Sequence, residues 1–115
     1  MSRKRCKVIK EHRSSFPEPV IAKKGEILTI GERDGEEPGW IWCINKQGNG
    51  AWISLDYLII QGNQAEISRD YDSTELNVSK GQILDIITES QGWFWVKDES
   101  NAEGWVPIRN VEIID

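Results

Sequence analysis

The sequence predicts an all-β protein made of two small five-stranded barrels in tandem, and three observations predict it. All six tryptophans pair at one constant offset of 53 residues: Trp40 with Trp93, Trp42 with Trp95, and Trp52 with Trp105. The text around them repeats as well. Gly39-Trp40-Ile41-Trp42 matches Gly92-Trp93-Phe94-Trp95, Ala51-Trp52-Ile53 matches Gly104-Trp105-Val106, and Lys24-Gly25-Glu26-Ile27-Leu28 matches Lys80-Gly81-Gln82-Ile83-Leu84 slightly out of phase. Finally, helical periodicity is hard to find, whereas short runs rich in Val, Ile and Trp recur between Gly, Asn, Asp and Pro. A repeat of this length is a small domain and not a solenoid unit.

The duplication places the first barrel over residues 1–60, a linker over 61–64 and the second barrel over 65–115. Units this small lie near the lower size at which a hydrophobic core sustains itself, so each must be compact. In the first unit strands are expected near Cys6 to Ile9, Ile27 to Glu32, Trp40 to Asn45, Ala51 to Ser54 and Leu58 to Ile60. The second unit repeats them near Ala65 to Arg69, Ile83 to Thr88, Trp93 to Lys97, Gly104 to Pro107 and Val111 to Ile114. A long excursion separates the first two strands of each, Lys10 to Lys24 and Asp70 to Lys80. Four linker residues span at most about 14 Å, so the two barrels are expected to touch or nearly touch.

Alternation assigns the faces, because successive side chains of a strand point to opposite sides of the sheet. With Cys43, Val96, Ile53 and Val106 inward, all six indoles point outward, and so large an apolar area marks an interaction site. Trp42 and Trp52 flank one hairpin turn symmetrically, and Trp95 and Trp105 flank the other. These four are expected to brace their hairpins as cross-strand aromatic pairs. Trp40 and Trp93 lack such a partner and are the better candidates for ligand contact.

These residues resemble the Src-homology-3 (SH3) family, a five-stranded barrel with a Lys-Gly-Asp-x-Leu-like turn, a Gly-Trp-Trp-like strand start and a Gly-Phe-Val-Pro-like strand. The second unit offers Asp70-Tyr71-Asp72, Glu75-Leu76, Lys80-Gly81-Gln82-Ile83-Leu84, Gly92-Trp93 and Gly104-Trp105-Val106-Pro107. The first offers Lys24-Gly25-Glu26-Ile27-Leu28, Gly39-Trp40 and Ala51-Trp52-Ile53-Ser54. The chain also resembles tandem SH3-like proteins of bacteria, whose function is unassigned.

The resemblance implies a groove for proline-rich extended peptides, with aromatic walls and acidic residues for a ligand Arg. Carried over by position, the second unit keeps Tyr71, Trp93 and Pro107, with Asp70, Asp72 and Glu75 for charge, but has Arg69 and Asn110 where the family has Tyr. The first keeps Trp40 and Tyr57, while Lys10 and His12 replace the two early Tyr residues and Ser54 replaces Pro. Each half retains what the other lacks, which suggests a composite site of Trp40, Tyr57, Tyr71, Trp93 and Pro107.

No catalytic constellation is visible, so the chain is not expected to be an enzyme. His12 is the only histidine, and a lone His in a loop is more often solvated or hydrogen-bonded than a base. Cys6 and Cys43 have no metal-site spacing and sit at inward positions, as free thiols filling apolar space. No cofactor and no metal is implied. The formal net charge is −5, which argues against nucleic acid as the principal partner. It is shared unevenly: residues 1–60 carry 10 Lys and Arg against 8 Asp and Glu, and residues 61–115 carry 4 against 11. No apolar run reaches membrane-spanning length, and Met1-Ser2-Arg3-Lys4-Arg5 leads into a strand without a signal core, so no membrane partner and a cytoplasmic location are expected. The expected function is a non-catalytic module binding a peptide or protein segment. The alternatives are a structural or oligomerisation role, with tryptophans buried between barrels, and cell-wall binding. An aromatic cage for a methylated amine is a minor further option. The oligomeric state is left open.

Overall fold

Alternating side chains write the strands of this molecule. The computed structural model describes residues 4–14, 18–32 and 38–114. Its strands are β1 (Arg5–Val8), β2 (Ile21–Ala22), β3 (Ile27–Ile30), β4 (Trp40–Ile44), β5 (Gly50–Ser54), β6 (Leu58–Gln61), β7 (Gln64–Ile67), β8 (Tyr71–Asp72), β9 (Ile83–Ser90), β10 (Trp93–Lys97), β11 (Glu103–Pro107) and β12 (Val111–Ile113). One-turn 3-10 helices at Leu55–Tyr57 and Ile108–Asn110 follow β5 and β11. The protein is all-β, and its two five-stranded antiparallel sheets are open rather than closed barrels.

By contact the chain divides into a continuous unit, residues 18–73, and a split unit, residues 1–17 with 74–115. The continuous unit holds a sheet in the order β5-β4-β3-β7-β6 and a small β2-β8 pair. The split unit holds β11-β10-β9-β1-β12. Its core joins Cys6 and Val8 of β1 to Leu84, Phe94, Val96, Val106 and Val111. The halves 1–60 and 65–115 suggested by the repeat are therefore corrected. The first strand of each repeat has changed places: β1 pairs with β9 and β12, and β7 pairs with β3 and β6.

The exchange has two physical reasons. The segment 61–64 is no linker: Gln61 pairs with Gln64 across a two-residue turn, and Gly62 takes a φ of 64° there. Such tight Gly-Asn turns fold a chain directly back on itself, so β7 joins the strand just before it. Charge favours the same outcome. In matching registers, Lys7 of β1 lies between Ile83 and Glu112, and Glu66 of β7 lies between Ile27 and Ile59. Without the exchange Glu66 would face Glu112, and like charges directly opposite destabilise a sheet. The exchange also puts Arg5 opposite Asp85. As a result the continuous unit carries 5 Lys and Arg against 10 Asp and Glu, while the split unit balances at 9 against 9.

The two repeats share one turn device. After β4, Asn45 accepts from the amides of Gln47 and Asn49 through Oδ1; after β10, Asp98 does the same for Ser100 and Ala102. The left-handed position of each turn falls on Gly48 (φ 87°) and Asn101 (φ 69°), residue types that tolerate it.

Candidate functional site

The hairpin tryptophans brace, as their spacing predicts. Trp42 lies opposite Trp52 with ring centroids 5.4 Å apart at 68°, and Trp95 lies opposite Trp105 at 5.3 Å and 74°. The Trp42 ring covers Gly50 so closely that a Cβ there would meet it. Trp95 is anchored differently, its Nε1 donating to Glu103 Oε1 at 2.8 Å.

The parity assignment holds for the inward residues, since Cys43, Ile53, Val96 and Val106 are all buried. The expected exposed aromatic surface does not hold. Trp40 and Trp105 are 8% and 3% exposed, and the other four indoles are half-buried. In the split unit the segment after residue 73 pairs along the edge of β11, Glu75 bridging to Trp105 in parallel. The Trp105 amide donates to Thr74 O at 2.9 Å, and the Leu76 amide donates to Trp105 O at 3.1 Å. Trp105 is buried beside that added backbone, while Trp95 across the hairpin stays half-buried.

The strand exchange redistributes the sequence-predicted site. Trp40, Tyr57, Asp70, Tyr71 and Asp72 fall in the continuous unit, and Glu75, Trp93 and Pro107 in the split unit. Trp40 starts β4 opposite Ser54, whose hydroxyl accepts from the Asp56 amide and so starts the 3-10 turn carrying Tyr57. Tyr57 meets Tyr71 at 4.8 Å and 61°. The Tyr71 hydroxyl donates to Trp52 O at 3.2 Å, which locks the ring on the neighbouring strand. Tyr57 and Tyr71, which the repeat assigns to different halves, thus form one aromatic arc in one unit, which also holds Trp40.

Around that arc the charges are engaged unequally. Asp70 accepts from the Lys24 amide at 2.8 Å and lies 3.8 Å from Lys23 Nζ, both on the surface. Asp72 sits opposite Ile21 in the β2-β8 pair. Arg69 is exposed and rests its guanidinium on the Tyr57 ring, 4.1 Å from the centroid.

The equivalent corner of the split unit is polar. Trp93 lies opposite Pro107, and the following 3-10 turn ends in Asn110 at the position of Tyr57. The Asn110 side chain donates to Glu11 O at 3.1 Å, and its backbone carbonyl accepts from the Ile9 and Lys10 amides. His12 bridges to Val78 as Tyr71 pairs with Ala22. Its Nε2 lies 2.8 Å from Glu75 Oε1, and its ring meets Trp93 edge-on at 5.5 Å. Glu75 therefore serves His12, and Trp93 has an aromatic neighbour that its sequence position did not reveal. The hydrogen-bonded role given to His12 as the commoner one is what the structure shows.

Sequence reasoning missed the contact of Arg69 with Tyr57, noting the residue only as a departure from Tyr. The one available signal was its place in the early Tyr position beside Tyr71. Cys6 and Cys43 are free and fully buried, and burial pushes each thiol up to about 11. Among the described residues no group of three His, Cys, Asp or Glu is placed to hold a metal ion, and no helix is long and apolar enough to cross a membrane.

Comparison with known proteins adds the following. The chain is 27% identical over 100 residues to the SH3 and PX domain-containing protein 2B of Homo sapiens, covering 82% of this chain and 11% of that protein. It is 34% identical over 58 residues to an SH3 and F-BAR domain-containing protein of Dictyostelium discoideum, 48% of this chain and 11% of that one. It is 31% identical over 87 residues to the baseplate hub protein pb3 of Escherichia phage T5, 76% of this chain and 9% of that one. The chain thus spans about a tenth of the length of these relatives. No solved structure matches. Residues 67–114 match the profile of the variant SH3 domain, a stretch that begins within β7 of the continuous unit and runs through the split one.

Proposed function

We propose that this chain is a non-catalytic protein-interaction module that takes an extended, proline-rich peptide segment on the continuous unit, working in the cytoplasm. The observation that carries the reading is the aromatic arc of Tyr57 and Tyr71, brought with Trp40 into one unit by the exchange of β1 and β7. These aromatic side chains are largely buried and hold the corner rigid, so an extended proline-rich peptide, which binds a preformed surface at low entropic cost, would meet it through its rim. Asp70 and Asp72 border the arc, while Trp93, Pro107 and Glu75 form a second, more polar corner. The likeness of residues 67–114 to the variant SH3 domain supports a protein-binding role.

The test is a titration of isotope-labelled protein with a probe peptide carrying a Pro-x-x-Pro core. Amide shifts should concentrate at residues 54–57 and 69–72 and at the Trp40 indole, and Trp40→Phe should weaken them. Shifts confined to Trp93 and Pro107 would move the site to the split unit, and no shifts at saturating peptide would end the proposal.

A further inference from the structure

We propose that Arg69 makes the aromatic corner of the continuous unit select a peptide that carries a carboxylate, the opposite charge preference from a groove that receives a ligand Arg on acidic residues. The inference rests on the peptide-binding reading above and deepens it.

Three observations carry it. Tyr57 and Tyr71 are 9% and 3% exposed, so at this corner the surface offered to a ligand is not aromatic. It is the guanidinium of Arg69, exposed and stacked on Tyr57. Among the described residues that guanidinium is paired with no carboxylate, although Asp70 is its sequence neighbour. Asp70 turns instead to the Lys24 amide and Lys23. Stacking on a ring holds the planar fork while leaving its N–H edge open to a two-point hydrogen bond, the geometry that a carboxylate matches.

The far field runs the other way, because the continuous unit carries an excess of acidic residues. Contact should decide. Exposed charges more than about 8 Å apart are largely screened at physiological ionic strength, whereas a carboxylate in the Arg69 fork is in direct contact.

The experiment compares three amidated probe peptides that share a Pro-x-x-Pro core and differ at one flanking position, Glu, Gln or Lys. A fourth carries Gln and a free C-terminal carboxylate, which separates a side-chain from a terminal source of the group. Wild type should bind one of the carboxylate peptides about three- to fivefold more tightly than the Gln peptide, and the Lys peptide more weakly still. Arg69→Gln should erase the ranking and Arg69→Glu should reverse it. Equal binding of all four, or a ranking unmoved by Arg69→Glu, overturns the inference while leaving peptide binding intact. If none binds, the proposed function itself fails and the inference with it.

Discussion

Lys7 of β1 stands directly opposite Glu112 of β12, in the place that Glu66 would occupy if each repeat had kept its own first strand. Opposite charges across an antiparallel pair contribute roughly 0.2–1 kcal/mol, and like charges cost a similar amount. Lys7→Glu loses the attraction and adds the repulsion, and should therefore destabilise the protein by up to about 2 kcal/mol in urea unfolding followed by amide signals of the split unit. Adding Glu112→Lys should restore most of the loss. Independent, additive effects of the two substitutions would show that charge does not guide the pairing.

Residues 18–73 contain every strand of their sheet, so that fragment should fold alone, with dispersed amide resonances and a cooperative melt. Residues 1–60 lack β7 and leave β3 and β6 without the strand between them. That fragment should be unfolded by the same measurements. A folded 1–60 fragment would mean that β1 can take the place of β7.

Two glycines at matching hairpins test the close packing. A Cβ at Gly50 meets the Trp42 ring, and one at Gly104 comes within 2.8 Å of the Leu76 backbone nitrogen. Overpacking of this kind costs about 1–3 kcal/mol. Gly104→Ala should be the worse of the two, because backbone held by the Trp105 amide bonds yields less than an indole that can swing away. Urea midpoints give the ranking, and a red shift of tryptophan emission should accompany Gly50→Ala.

Both thiols should resist modification at pH 8, reacting with a thiol reagent far more slowly in native protein than in urea. Their pKa values rise from 9.0 unfolded to about 11 folded. The folded state therefore keeps protons that the unfolded state releases. Stability is fully present below about pH 9 and is lost as pH rises toward 11. The Cys6→Ala, Cys43→Ala double variant should show a shallower decline over that window, and an unchanged decline would assign it to other groups.

Much of the fold is readable from side-chain type. The Trp42–Trp52 and Trp95–Trp105 pairs follow from turns that each pair flanks evenly, and the buried Cys43 and Val96 follow from parity. Strand partnership is less readable, because β1 and β7 have the same alternation and either satisfies the core of either unit. The choice rests on Lys7, Glu66 and Glu112, and on Gly62 and Asn63, whose composition suits both a linker and a hairpin. The same ambiguity governed the site: Tyr71 belongs with Trp40 and Tyr57 once β7 is placed. Indole exposure was hidden for another reason. Parity says which way a side chain points but not which distant segment, such as Thr74 to Leu76 along the edge of β11, packs beside it.

The interleaved chain also fixes a calendar for synthesis. Everything the continuous unit needs has been made once residue 73 leaves the ribosome, whereas Cys6, made before that unit, waits for Ile113 to arrive as its neighbour. Contacts so remote along the chain form slowly, and an unclaimed strand is exposed to wrong partners in the interval. Lys4, Arg5, Lys7 and Lys10 are bunched on that segment, and like charge on an unpaired strand opposes edge-to-edge pairing with wrong partners.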